Sequence, residues 1–399
     1  MARVRGSVGR RRAPLMALAA IALFAGLWGG LLRLGIDVHA GGATLAEAHG
    51  PLMALGFLGT LISLERAVAL RRTWAYVAPL AAAIGALLAL SDAPGALGQA
   101  LLLLAGCVLV AAHVAIDRLQ RSLHNAIMAL GALNWCAAVA WWLIGADIAR
   151  FVPLLAAFLV LAIVGERLEL ARLGGLRGRL PRLWLGGAIA TLVAGLVLSL
   201  PVQQIGVQIA GAGLVAQALW LARYDIARRT VRMTGVTRFM ALALLAGYIW
   251  LGVAGALWIA GDPALGGGFG YDAALHAVFL GFVFSMVFAH APVIVPAVLR
   301  APLPYHPRFY AHLALLHASL ALRLLGGDLA GNVRAWQWGG ALGELSILVF
   351  LASSAQAVAH ARRAARSARS RTVPASRHRG VRPPSPPRRP SHAPNRSLD

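Results

Sequence analysis

Five histidines in apolar surroundings carry the chemistry this chain can offer. His49 opens the run "HGPLMALGFLGTLISLERAVAL" (49–70), and His276 and His290 bracket "HAVFLGFVFSMVFAH" (276–290). His312 and His317 lie in "YAHLALLHASLAL" (310–322). An imidazole with one unprotonated ring nitrogen is a ligand for iron, copper or zinc, and otherwise a hydrogen-bond donor or acceptor. Ionisable side chains in apolar spans are costly and mark function or interhelical pairing. That rule extends to Glu65, Glu166 and Glu169, in "SLERAVAL" and "LAIVGERLEL".

Spacing arranges these residues into two groups. On 49–70 the residues His49, Met53, Gly56, Thr60 and Ser63 stand at i, i+4, i+7, i+11 and i+14, one face of an ideal helix. Small, weakly polar residues there admit a flat macrocycle or a neighbouring helix. His276 and His290 return to nearly one face, about 21 Å apart at about 1.5 Å per residue. His276 should share a depth with His49 at one end of the bundle. His290 should share a depth with His317 nearer the other end, with His312 about 7 to 8 Å further along the same axis. The expectation is therefore a His49–His276 pair and a metal-binding set of His290, His317 and His312, with Glu65, Glu166 and Glu169 close by. Ordinary readings stand beside these. A lone intramembrane histidine serves well as an interhelical hydrogen-bond donor, and Glu65 and Glu166, each followed by Arg, form an interfacial charge pair.

The elements that must position these groups are membrane helices. Hydrophobic residues make up 59% of the 399 and charged residues 13%, and the mean hydropathy is +0.72, well outside the soluble range. Twelve runs of about 20 apolar residues, the length needed to cross about 30 Å of hydrocarbon, can be drawn at 14–34, 49–70, 74–91, 98–116, 122–146, 150–171, 182–200, 203–222, 238–261, 272–299, 308–325 and 336–360. They are continuous rather than alternating, which excludes barrel strands. The predicted fold is an all-α polytopic membrane bundle.

All 37 basic residues are Arg. Seventeen lie in alternate inter-helix loops, whereas the opposite loops hold Arg150 and Arg334. Five more precede residue 13 and eleven follow residue 360. The positive-inside rule then places both termini in the cytoplasm. Residues 1–13 read as a basic N-terminus, 14–360 as the twelve-helix domain, and 361–399 as a disordered Arg/Pro/Ser-rich cytoplasmic tail. That tail suits anionic lipid rather than nucleic acid. Cys107 and Cys136 fall inside spans and form no metal or disulfide motif. His39, in the loop before His49, lies near enough in sequence to approach the pair.

The stretches "HGPLMALGF" (49–57) and "LHAVFLGF" (275–282) resemble the NnrS family of haem- and copper-containing membrane proteins associated with nitric oxide tolerance. More distantly, the layout resembles haem-copper oxidase subunit I. The resemblance to NnrS covers two helices and the overall arrangement. It implies a bacterial inner-membrane protein in which His49 and His276 are haem ligands, copper is a further candidate, and the function is in nitric oxide or electron handling. Where the NnrS pattern has a second His and a Glu on the early helix, this chain has Pro51 and Leu52, so that helix offers one imidazole. Helix 6 supplies Glu166 and Glu169 where the oxidases use histidine, which argues against their oxygen chemistry. Two other classes stay open: a transporter using intramembrane His and Glu for protons or substrate, and a cofactor-free assembly factor.

Overall fold

The computed structural model describes residues 2–36, 42–89, 96–176, 178–261, 269–299 and 302–371. His39 lies outside them. Helix is the only extended regular element among the described residues, as the continuous apolar runs require: in hydrocarbon a helix satisfies its own backbone. The apolar helices are α1 (Ala2–Arg33), α2 (His49–Leu70), α3 (Thr73–Leu88), α4 (Leu97–Leu119), α5 (Leu123–Leu143), α6 (Ile148–Arg172), α7 (Leu180–Leu198), α8 (Gln203–Tyr224), α9 (Gly235–Ala260), α10 (Gly270–Ala297), α11 (Phe309–Leu329) and α12 (Val333–Arg371).

Eleven of these are long and apolar enough to cross a bilayer, which makes the chain an integral membrane protein. The exception is α3. Expected as a full span at 74–91, it ends at Leu88, at about 24 Å by its residue count. It runs back along α2 from the Arg71 end as far as Gly56, where an added Cβ would meet that of Ala86. The last helix departs from expectation in the other direction. It continues through 361–371, because "ARRAARSARSR" is rich in good helix formers and Pro enters only at 374. The tail that was expected from 361 therefore begins at least eleven residues later, and 372–399 lie outside the described residues.

Sequential helices pack as antiparallel neighbours, and α1 meets α12 to close the arrangement. Glycines set several of the close approaches. Trp135 of α5 is fully buried against Gly59 of α2 and Gly106 of α4, and its indole N–H donates to Leu102 O at 3.0 Å. The centre belongs to α6, whose most apolar stretch is 83% buried, against 22% for α12.

Three stretches leave the α-helical ladder for π-helix: Leu52–Gly59 in α2, Ala277–Phe284 in α10 and Leu322–Leu329 in α11. The first two begin three residues and one residue after His49 and His276. Such wide turns are rare and gather at functional sites. They also shift the side-chain period, which bears on the stripe drawn along α2.

Candidate functional site

His49 and His276 face one another. Their ring centroids stand 6.5 Å apart with planes 23° from parallel, and beneath them Phe57 and Phe284 stack at 6.2 Å. Each imidazole has one nitrogen committed. His49 Nδ1–H donates to Gly26 O of α1 at 2.7 Å, and His276 Nδ1–H donates to Asp272 O at 2.9 Å, with Asp272 Oδ1 at 3.2 Å. A carbonyl oxygen can only accept, so the Nδ1 proton is fixed in both rings. In a neutral imidazole that tautomer leaves the lone pair on Nε2.

Those rings border a cavity of about 590 Å³ enclosed by α1, α2, α6, α10, α11 and α12, a volume within the range of small-molecule and cofactor pockets. Its walls are mainly Leu, Ile, Val, Ala and Phe, with His49, His276, Asp272, Arg323, Glu344, Arg33, Glu47 and Tyr271 as polar exceptions. Gly30 creates room beside His49. A Cβ there would overlap Glu344 Oε1 and stand 3.1 Å from His49 Cε1.

Asp272 anchors the His276 side. Its carboxylate takes two hydrogen bonds from Arg323, at 2.6 Å from Nε and 2.7 Å from Nη2, and one from Trp336 Nε1 at 3.0 Å. The Arg323 guanidinium also lies over the Trp336 ring, 5.2 Å from its centroid. One acidic side chain thus joins α10, α11 and α12 directly behind the imidazole. Planar, two-point pairing of this kind fixes orientation as well as position.

The stripe expected along α2 does not hold as one face. Cavity-lining positions on α2 are His49, Gly50, Met53, Ala54 and Leu58, a spacing wider than 3.6 that follows the π-helical stretch. Met53 remains at the cavity. Gly56 turns instead toward Ala22 of α1 and Ala86 of α3, and Ser63 donates to Gly59 O at 2.6 Å.

The expected metal set at the other end does not assemble. His290 Nδ1–H donates to Met286 O at 2.7 Å, leaving Nε2 3.4 Å from Arg167 Nη1. His317 Nδ1 accepts from Trp250 Nε1 at 3.0 Å. His312 has no hydrogen-bond partner on either nitrogen and sits among Phe239, Phe288, Phe309 and Phe350. The depth estimate failed because α11, although it starts at Phe309 within a residue of expectation, does not begin level with the end of α10. Its His312 then lies level with Phe288 (ring centroids 4.8 Å apart), and His317 reaches Trp250, which packs on Gly281 well above His290. Among the described residues no three His, Cys, Asp or Glu side chains form a metal-holding group.

The carboxylates named from sequence are ion-paired. Arg66 bridges Glu65 at 2.7 Å and Glu166 at 3.1 Å, and Glu169 lies 3.8 Å from His124. Next to them is a pair the spacing argument did not single out: Arg167 of α6 and Asp225, the residue after α8, joined by two 2.8 Å bonds and both almost fully buried. Asp272, Arg323 and Glu344 were also overlooked. Each is an ionisable residue within an apolar span, so the rule applied to histidine would have found them.

No curated protein matches the chain. The match to a family runs from residue 12 to residue 359, from within α1 to within α12: the chain belongs to the family described as Domain of unknown function (DUF8744).

Proposed function

We propose that the cavity between α1, α2, α10 and α12 is a haem site in which His49 and His276 are the axial ligands, and that the protein is an NnrS-like membrane protein handling nitric oxide or electrons. The observation that carries this reading is the facing imidazole pair with both Nδ1 protons committed. A metal between two imidazole nitrogens needs about 4 Å from nitrogen to nitrogen, two bonds of about 2 Å. Ring centres then stand further apart by the two centre-to-nitrogen distances, so 6.5 Å between centroids is of the right size. Metal-ligating histidines ordinarily donate their other N–H to a carbonyl or carboxylate, as His49 does to Gly26 and His276 to Asp272.

The rest of the donor set fits as well. Apolar walls exclude water, which is the protein's lever on potential and ligand access at a haem. Arg33 and Arg323 supply cationic neighbours for acidic substituents at the cavity edge. Bound there, haem would supply one-electron chemistry and a site for diatomic ligands. Gly26 and Asp272 hold the tautomers, and Phe284, stacked on Phe57, lines the cavity. Copper is a weaker candidate, since His290 and His317 have separate partners and His312 sits apart among phenylalanines.

The same proposal takes the membrane to be a bacterial inner membrane with both termini in the cytoplasm and the Arg-rich tail against anionic lipid, on the partition of Arg between loops. This needs an even number of passes, so α3, though short, is taken to return the chain to the side on which α4 begins, where Gly85 packs on Gly98. In that orientation the His49 end faces outward. A transporter is the second reading, favoured by the ionisable Asp272, Arg323 and Glu344 inside spans. A visible absorption spectrum of protein expressed with ample haem separates the two. A Soret band supports the haem site, and its absence moves the preference to transport.

A further inference from the structure

The two imidazoles have the same tautomer and share the cavity, but their supports differ. His276 is backed by a carboxylate that is itself fixed by three charge-assisted or indole hydrogen bonds from two other helices. A carboxylate behind a ligating imidazole raises its basicity and locks its orientation. His49 has only one neutral carbonyl, Gly26 O.

The backbone beneath them differs in the same sense. His276 ends a regular helical stretch, Phe269–His276, and its Nδ1 bonds back to the residue one turn earlier. His49 sits in the three-residue segment His49–Pro51, between a turn at Ala48 and the π-helix from Leu52. Pro51 has no N–H to give to the carbonyl of Glu47, so one rung of the ladder is missing beside His49. The cavity differs too. On the His49 side it is lined by Gly30 and Glu344, and the missing Cβ of Gly30 is what lets the Glu344 carboxyl and the His49 ring pack against it.

We propose that His276 is the fixed donor and His49 the one that yields, so that a small neutral ligand of the diatomic-gas class binds on the His49 side, in the space beside Gly30 and Glu344. The inference rests on the haem reading above. In its terms His276 stays in place while the His49 ring swings away from its position between Gly26 and the cavity, and Glu344 is the polar group left facing the incoming molecule. In that exchange His49 would give up both its Nε2 hold on the iron and its Nδ1 hydrogen bond to Gly26 O, and the incoming molecule would take the position it leaves.

Hemin titration of the full-length protein in detergent, followed by reduction of the loaded protein with dithionite and addition of carbon monoxide as the ligand probe, tests this. His49→Ala should keep hemin with a changed, five-coordinate spectrum and bind carbon monoxide faster than wild type. His276→Ala should weaken hemin binding at least tenfold. Asp272→Asn, which keeps side-chain shape, should weaken hemin retention severalfold and shift the spectrum. Glu344→Gln should shift the stretching frequency of bound carbon monoxide. Unaltered thermal unfolding profiles identify variants that have kept the fold. Equal loss from the two Ala variants, or the reverse order, overturns the inequality while leaving the haem site standing. A stretching frequency indifferent to Glu344→Gln overturns the assignment of the ligand to that side. Wild-type protein that takes up no hemin removes the haem reading and this inference together.

Discussion

The two ends of the bundle hold similar residues in opposite circumstances. At the Arg167 end, arginine, carboxylate and histidine side chains satisfy one another: Arg167 with Asp225, Arg66 with Glu65 and Glu166, and His290 with Met286 O and Arg167. At the His49 end, the polar groups satisfy one another only from behind. Arg323, Trp336 and Gly26 occupy the back of Asp272 and His49, while the two Nε2 atoms and Glu344 are turned toward a cavity. Charge inside a membrane protein therefore marks function poorly by itself. The informative feature is a polar atom left free by neighbours that have been positioned to leave it so.

Substitutions at the Arg167 end should damage the fold, and substitutions at the His49 end should damage binding. The largest effect is expected from Arg167→Met, which leaves Asp225 buried without its partner and should cost about 3–5 kcal/mol. Thermal unfolding in detergent would register it, and Arg167→Met combined with Asp225→Leu should restore most of the loss. A single variant as stable as wild type would show that the pair is not buried as described.

Filling the cavity comes next. Gly30→Val should weaken hemin binding at least tenfold, measured by titration, because its side chain would occupy the space between His49 and Glu344. Overpacking of this kind costs about 1–3 kcal/mol of stability, so the bundle should still form. Hemin binding unchanged by this variant would place the ligand elsewhere. A smaller effect is expected for Arg66→Gln. Its side chain is 14% exposed and its partners 31% and 26%, and screening at partly exposed sites limits the loss to about 1 kcal/mol. A loss as large as that of Arg167→Met would erase the distinction drawn between the two ion pairs.

The smallest change should be a gain. His312→Leu removes two ring nitrogens that have no partner in a box of phenylalanines, and burying an unpaired polar group is unfavourable. Stability should rise by roughly 1 kcal/mol. A marked loss instead would mean that His312 has a ligand or partner of its own.

Much of this arrangement could be read from the residues alone. Continuous apolar runs fix a helical membrane bundle, and the ends of α2, α5 and α8 fall within a few residues of where the runs stop. The depth of His49 relative to His276 was also legible, since both open long apolar runs that follow loops on one side of the chain's alternating topology. Three things were not. Periodicity assumes 3.6 residues per turn, and the π-helical Leu52–Gly59 breaks that assumption, sending Gly56 toward α1 and α3. Depth counted from helix ends failed for His317, because the adjoining ends of α10 and α11 are not level: His312 packs on Phe288, and His317 reaches Trp250 beside Gly281. Attention to histidine also concealed Asp272 and Arg323, whose pairing only becomes visible when α10 and α11 are side by side.

The central claim is that His49 and His276 together hold a cofactor, and the most direct measurement is the visible spectrum of full-length protein titrated with hemin, beside the His49→Ala/His276→Ala double variant. The account predicts a saturable Soret band in the wild type that is absent in the double variant, with the two proteins unfolding at similar temperatures because most of the apolar packing is untouched. A wild type without the band, or a double variant that retains it unchanged, would contradict the claim and leave the facing imidazoles as hydrogen-bond donors that brace α2 and α10.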